Sequence, residues 1–323
     1  VKELYYYLDA SPCHTYNKAL YKYPQAAFPY EELVAENARR GHRDPEFELL
    51  DTGVFDEDRY FDVIVEYAVP LPGEVLMRVT AVNRGPEPAT LHLLPQLWFR
   101  NTWSWGCRHE GCSPRPELHL AADGRIDLSH FELGPHLFQF EPGPDRAPPE
   151  ALFTENESNL ERLFGVPNEA SHVKDAFHRY LVDGDRSAVH PEQRGTKCGL
   201  HYELTLEPGQ SNSLRLRLAP QSSPTTSFDR QFEECRAVVD RFYEETLPTT
   251  APPESRSVMR QAFAGLLWSR QFYHYSVRDW LDGDPAHPSP PEERVRRRNQ
   301  DWEHLFNRRV ISMPDTWEYP WYA

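Results

Sequence analysis

The sequence is poor in positive charge, in cysteine and in long hydrophobic runs. Its 323 residues carry 50 acidic side chains against 35 lysines and arginines, so the net charge is −15. Nucleic acids and anionic membranes bind basic surfaces, and we therefore expect neither as a partner. The mean hydropathy is −0.71, and no stretch approaches the roughly 18 apolar residues of a membrane span.

The five cysteines are too few and too scattered for a disulfide framework. This pattern favours a reducing compartment, and we predict a cytoplasmic location. Cys107, His109 and Cys112 are potential zinc ligands, but their spacing is not that of a standard site and the sequence offers no clear fourth ligand. We predict neither a metal nor another cofactor.

Proline and aromatic residues are abundant. The chain has 30 prolines and is 13% aromatic, which is typical of a folded body with prolines in loops and at strand ends. Apolar and polar residues alternate over 61–67 and 75–81, as in half-buried antiparallel strands. Two hairpins are predicted, around Asp123-Gly124 and Pro208-Gly209. The sequence thus predicts a mainly β protein, with an antiparallel β-sandwich over residues 1–220.

Helical spacing appears only after residue 220. Ser227 can cap a helix within 221–253, a segment predicted to be a linker helix followed by a proline-rich linker. A second long helix is predicted over 254–281, and 254–323 is assigned to the start of a helical domain. Since one helix cannot bury its own apolar face, we expect an exposed apolar patch there. Two further local predictions are an ordered loop over 16–30 and a strand over 47–50.

Two clusters combine aromatic rings with polar groups. Asn101 and Trp103 follow a predicted strand, and the last residues combine two tryptophans, two tyrosines, Asp315 and Glu318. Sugars stack on aromatic rings and bond polar groups through their hydroxyls, so both clusters suit a carbohydrate. The alternative for the first cluster is a plug between two domains, and for the second it is core packing.

Five motifs resemble one known family, the bacterial glucosidases of the glycoside hydrolase family 63 type, which are related to mannosylglycerate hydrolase. The resemblance implies a β-sandwich followed by an (α/α)6 barrel, and hydrolysis of α-glycosidic bonds with inversion. Members are longer than this chain, which would be an internal portion. The motifs are YKYPQAAFPY at 21–30, ELLDTGVF at 48–55, LWFRNTWSW at 97–105, LWSRQFYHY at 267–275 and WEYPWYA at 317–323.

The resemblance places the catalytic acid in an Ala-Trp-Asp motif after Ala323 and the base much later, so no catalytic residue is assigned here. Asp315 and Glu318 are too close on one loop to act on opposite faces of a sugar. We therefore expect this chain alone to show no turnover of α-linked glucosides. The predicted substrate-binding residues are Asn101, Trp103, Gln271, Tyr273, Trp317, Glu318, Tyr319, Trp321 and Tyr322.

Two other functions remain open. A non-catalytic β-sandwich module would bind a carbohydrate or a partner through the same aromatic residues. A phosphorylase would need an anion site, formed by arginine or a helix N-terminus, facing the pocket. The glycosidase and the phosphorylase would both act on a carbohydrate, whereas the non-catalytic module would bind either a carbohydrate or another partner.

Overall fold

A computed structural model describes residues 3–104, 114–224, 226–296 and 300–313. Over these residues the chain is mainly β, with fifteen strands and six α-helices. No helix of this described part is both long and apolar enough to cross a membrane. The strands and helices are β1 (Leu4–Ala10), β2 (Tyr16–Pro24), α1 (Tyr30–Arg39), β3 (Tyr60–Ala68), β4 (Val75–Asn83), β5 (Ala89–Leu93), β6 (Gln96–Trp98), β7 (Glu117–Leu120), β8 (Ile126–His130), β9 (Gly134–Phe140), β10 (Glu150–Thr154), α2 (Leu160–Phe164), α3 (Ala176–Leu181), β11 (Arg194–Gly195), β12 (Lys197–Leu206), β13 (Ser211–Pro220), α4 (Phe228–Thr246), α5 (Pro253–Trp268), β14 (Arg270–Ser276), α6 (Val277–Asp282) and β15 (Phe306–Ser312).

Two antiparallel sheets form the body. The larger has nine strands in the order β1-β2-β3-β4-β13-β9-β8-β7-β11. The smaller has the order β10-β12-β5, and β6 also pairs with β12. Buried apolar residues of both sheets belong to one cluster, among them Leu214 of the large sheet and Leu204 of the small one. This arrangement is consistent with the predicted β-sandwich.

Alternation along the strands decides which side chains enter that core. Val65 lies opposite Val79, and Val79 lies opposite Leu214, so all three point to the core face. One residue along, Glu66 lies opposite Arg78 on the other face, where their side chains form an ion pair of 2.9 Å. The large sheet therefore has an inner face towards the small sheet and an outer face.

Helix α4 covers part of the outer face. Ser227 caps it, since its side chain accepts a hydrogen bond from the Arg230 amide. Phe232 and Val239 are fully buried against Tyr16, Ala68 and Leu76 of the sheet. The amphipathic helix predicted after Ser227 is thus confirmed, and it packs on the outer face of the large sheet.

Two local predictions in the first 60 residues are wrong. The segment predicted as a loop over 16–30 contains β2, which pairs with β3 along its whole length and with β1 over residues 17–22. The prolines suggested a loop, but Pro24 lies at the last position of the strand, where proline is tolerated. The strand predicted over 47–50 is a short 3-10 helix, Leu49–Thr52, which ends at Gly53 in the left-handed conformation.

The long helix predicted over 254–281 is also wrong in part. Helix α5 ends at Trp268, and the following residues form β14, which pairs with β15. Apolar residues of α5 are exposed, as predicted: Val258 is 68% and Leu266 is 58% accessible. Among the described residues the structure does not show an (α/α)6 arrangement. The domain boundaries at 220 and 253 remain predictions.

Candidate functional site

Asn101 and Trp103 lie just beyond β6, where hydrogen bonds tie their segment to the one after β10. The Asn101 side chain donates to the Asn156 carbonyl over 3.1 Å, and its own oxygen accepts from the Ser104 amide. In return the Asn156 side chain donates to the Phe99 carbonyl over 2.8 Å. Trp103 is half-buried against the core. The two predicted binding residues are therefore held in fixed positions.

The Trp103 indole links this segment to a carboxylate. Its Nε1–H donates to Glu157 Oε1 over 3.1 Å. Phe99, which is buried, stacks on His130 with ring centroids 4.9 Å apart and anchors the strand end behind it. The indole is therefore held by core packing on one side and by Glu157 at its N–H.

A second carboxylate, Glu155, is buried nearby. One oxygen accepts from Thr196 Oγ1 over 2.7 Å and the other lies 2.6 Å from Arg115 Nη2. This hydrogen bond raises the pKa of the Arg115 guanidinium. Both carboxylate oxygens are thus occupied, which suits a positioning role better than proton transfer.

Two histidines complete the group. The rings of His172 and His190 lie 5.0 Å apart. Burial, and secondly the neighbouring His190, lower the pKa of His172, so its imidazole is kept neutral near pH 7. A neutral imidazole has one donor and one acceptor nitrogen, as a sugar hydroxyl requires of its partners.

These groups line two adjoining cavities of about 360 and 370 Å³. We call this the polar cleft, and it lies at the edge of the large sheet formed by β7 and β11. Gly195 in β11 lies so close to β10 that any side chain would collide with the Thr154 carbonyl. The residues that define the polar cleft are Arg115, Glu155, Glu157, Glu169, His172, His190 and Arg194.

A smaller cavity joins the polar cleft to the predicted residues. Its lining includes Asn101, Ser104, Glu157 and Glu169, and it also includes His287 from the loop after α6. Asn101 and Glu157 therefore face one space. Polar groups from four separate segments line this space of about 40 Å³, and together with the polar cleft they can bond several hydroxyl groups of one ligand.

Gln271 and Tyr273 lie elsewhere. They occupy alternate positions of β14 opposite Ile311 and Arg309, so they share one face of that strand. Phe272, on the other face, lies 5.5 Å from the Arg100 guanidinium. The structure thus brings β14 close to the end of β6, but it turns Gln271 and Tyr273 away from the contact with Arg100.

The other predicted site residues lie outside the described part of the chain. These are Trp317, Glu318, Tyr319, Trp321 and Tyr322, together with the potential zinc ligands Cys107, His109 and Cys112. In residues 3–104, 114–224, 226–296 and 300–313, no group of three or more His, Cys, Asp and Glu side chains is arranged to hold a metal ion.

Sequence reasoning did not identify Arg115, Glu155, His172 or His190. They come from four separate segments, and none of these segments has a recognisable catalytic or ligand spacing. Strand pairing, which joins β10 to β12 and β11 to β7, assembles the group.

The chain is similar in sequence to part of a longer protein. It is 38% identical over 364 residues to a Saccharomyces cerevisiae protein named uncharacterized protein YMR196W. The match covers all of this chain but 34% of that protein, so the chain spans about a third of the relative's length. No family model matches the chain.

Similarity to solved structures is weak. A polysaccharide lyase aligns with 54% of this chain and 22% of its own, with 11% identity and a TM-score of 0.29. A galactose mutarotase related enzyme from Lactobacillus acidophilus aligns with 65% of this chain and 69% of its own, with 9% identity and a TM-score of 0.28. Matches of this quality do not assign a function.

Proposed function

We propose that this chain is part of an inverting α-glycosidase of the family 63 type, which hydrolyses α-glycosidic bonds of a small sugar or oligosaccharide. The proposal rests on the five motifs of the sequence, and the observation that carries it is the meeting of Asn101 and Glu157 in one cavity, beside the Trp103 indole. Aromatic rings with convergent polar groups are typical of sugar sites.

The role of the described residues in this proposal is binding. Inverting hydrolysis needs an acid that protonates the leaving oxygen and a base that activates water, about 6.5–9.5 Å apart. Glu155 is engaged by Arg115 and Thr196, and Glu157 by Trp103. We therefore assign the acid and the base to other parts of the protein. The polar cleft orients sugar hydroxyls.

Helix α5 supports the second half of the proposal. Four of its apolar residues are exposed: Val258, Met259, Phe263 and Leu266. An apolar row on a helix is stable when other helices cover it, as they would in a helical domain. We propose that residues 254–323 begin such a domain, after a β-sandwich over 1–220 and a linker over 221–253. Gln271, Tyr273 and the aromatic residues at 317–322 would line its sugar site.

Product stereochemistry tests the proposal. The full-length protein is incubated with α-linked glucose disaccharides, and proton NMR records which anomer appears first. We expect the β-anomer, because inversion places the new hydroxyl on the opposite face of the ring. First appearance of the α-anomer would rule out inversion, and absence of any turnover would favour a non-catalytic module.

A conservative variant tests the polar cleft. Trp103→Phe keeps an aromatic ring and removes the N–H that bonds Glu157. We expect kcat/KM to fall by about tenfold, which corresponds to the free energy of one charge-assisted hydrogen bond. Trp302→Ala is the control, since this tryptophan is 56% exposed and does not line the polar cleft. Equal kcat/KM for Trp103→Phe and the unchanged protein would remove the polar cleft from the proposal.

A further inference from the structure

Four tyrosines share one face of the two strands at the edge of the large sheet. Tyr5 of β1 lies directly opposite Tyr21 of β2, and each is followed two residues later by another tyrosine, Tyr7 and Tyr23. Directly paired residues and alternate residues point to the same side of a sheet. We call these four residues the tyrosine surface.

The tyrosine surface is the uncovered continuation of the inner face. Tyr21 lies opposite Val63 and Tyr23 opposite Phe61, and both partners belong to or pack against the core. The small sheet covers the core but not the edge strands, so Tyr5 remains 52% and Tyr23 44% exposed. The polar cleft lies at the opposite edge of the same sheet.

The rings form two pairs, one on each strand. Centroids of Tyr5 and Tyr7 are 5.6 Å apart, and those of Tyr21 and Tyr23 are 6.2 Å apart. Trp268 at the end of α5 stacks on Tyr7, with centroids 4.7 Å apart and planes inclined by 14°. Helix α5 thus adds a fifth aromatic side chain, the Trp268 indole, beside Tyr7.

The charge of the tyrosine surface limits what it can bind. Burial, and secondly the Glu3 carboxylate, raise the pKa of Tyr21 to about 12. Burial also raises the pKa of Tyr7. The hydroxyls of Tyr7 and Tyr21 are therefore neutral, and the Glu3 carboxylate accepts a hydrogen bond from Tyr21 over 3.4 Å. A neutral ligand complements this surface, whereas a polyanion would be repelled by Glu3 and by the net charge of −15.

We propose that the tyrosine surface is a second carbohydrate-binding site, which holds an extended α-linked gluco-oligosaccharide at the edge of the sheet opposite the polar cleft. Ring faces stack on the apolar faces of sugars while the phenolic hydroxyls bond sugar hydroxyls. A surface that docks a protein helix would present aliphatic side chains. Helix α5 exposes such side chains at Val258 and Leu266, but the tyrosine surface has none. The choice of α-linked glucose rests on the proposed function.

The test is binding of maltoheptaose to the full-length protein, which is measured by calorimetry and by the change in Trp268 fluorescence. The double variant Tyr5→Ala and Tyr23→Ala removes the two exposed rings. We expect its dissociation constant to rise at least tenfold, since each stacked aromatic contributes about 1 kcal/mol. Tyr23→Ala alone, expected to lose part of this affinity, is the second variant if the double one does not fold.

Tyr6→Ala is the matched control. Tyr6 is 45% exposed on the same strand, but it lies on the opposite face, across from Leu20. Its replacement should leave binding unchanged. The proposal is overturned if Tyr6→Ala weakens binding as much as the double variant, if neither variant weakens it, or if the rings instead mediate self-association detected by sedimentation.

The outcome is separable from that of the proposed function. Turnover of α-linked disaccharides with unchanged maltoheptaose binding in the tyrosine variants would overturn the second site and leave the glycosidase proposal standing. If the protein shows no turnover but binds maltoheptaose through Tyr5 and Tyr23, the glycosidase proposal is overturned and the second site is supported.

Discussion

The two longest helices lie side by side in sequence and differ in what they bury. In α4, Phe232 and Val239 are completely inaccessible to solvent. In α5, all of whose residues the structure describes, Ala264 is the one buried residue. Both helices have apolar rows, so the row alone does not reveal whether a helix belongs to the β body. Only α4 buries its apolar row, on the outer face of the large sheet.

Polar contacts hold α5 against strand β1 and helix α4. Arg260 bonds the carboxylate of Asp9, which is buried, and lies 2.7 Å from Asp240 of α4. Trp268 Nε1–H donates to the Asp9 carbonyl over 3.3 Å. These contacts cover the edge strand β1, an arrangement that protects a sheet from pairing with other chains. We infer that these polar contacts, together with the stacking of Trp268 on Tyr7, dock α5 and leave Val258 and Leu266 exposed.

The largest expected effect breaks the packing of α4. Phe232→Ala should lower the free energy of unfolding by about 3–5 kcal/mol, because it leaves a cavity among Tyr16, Phe228 and Arg78. Chemical denaturation measures the loss. Val238→Ala on the same helix is the control, since Val238 is 55% exposed and should change stability by less than about 0.5 kcal/mol. A cost below about 1 kcal/mol for Phe232→Ala would refute the difference drawn between the helices.

A smaller effect is expected from the contact that docks α5. Asp9→Ala removes a buried carboxylate and leaves Arg260 with the more exposed Asp240 as its remaining partner. We expect a loss of about 2 kcal/mol, less than for a buried charge left with no partner, and a red shift of Trp268 fluorescence as α5 loosens. Asp240→Ala should cost less than about 1 kcal/mol, because its side chain is 45% exposed. Equal losses from both variants would argue against Asp9 as the main anchor.

The smallest effect is expected on the apolar row of α5. In the 323-residue chain, Val258→Ala and Leu266→Ala remove side chains that are 68% and 58% exposed, so each should change stability by less than about 0.5 kcal/mol. The same variants in the full-length protein should cost more, because we propose that a helical domain covers the row. Identical small values in both proteins would contradict that proposal.

Strand alternation made most of the β body predictable. The strands around Val65 and Val79, the hairpin around Asp123-Gly124 and the capped helix after Ser227 were predicted from local patterns, since these patterns depend on neighbours a few residues apart. The hairpin predicted around Pro208-Gly209 is wrong, because β12 and β13 on either side of that turn pair with other strands and lie in different sheets. The error over 254–281 has the opposite origin. Arg270–Ser276 is a short aromatic-rich segment whose own pattern does not decide between a helix and a strand, and pairing with residues 306–312 decides for the strand.

The candidate site was predictable only in part. Asn101 and Trp103 were found because an unusual cluster of aromatic and polar residues follows a predicted strand. Their partners Asn156 and Glu157 have no distinguishing local pattern. The tyrosines at 5, 7, 21 and 23 show a visible spacing of two residues, but interpretation of 16–30 as a loop concealed it.

The sequence by itself determined the mainly β class, the positions of most strands, the acidic surface and the amphipathic character of α4, because each follows from composition or from periodicity. Only the tertiary structure decided which faces are covered. Strand β13 pairs between β4 and β9, and β11 pairs with β7, contacts between residues far apart in the chain. Those pairings place the tyrosine surface and the polar cleft at opposite edges of one sheet, and no local pattern specifies them, since a strand's own sequence sets its period but not its neighbours.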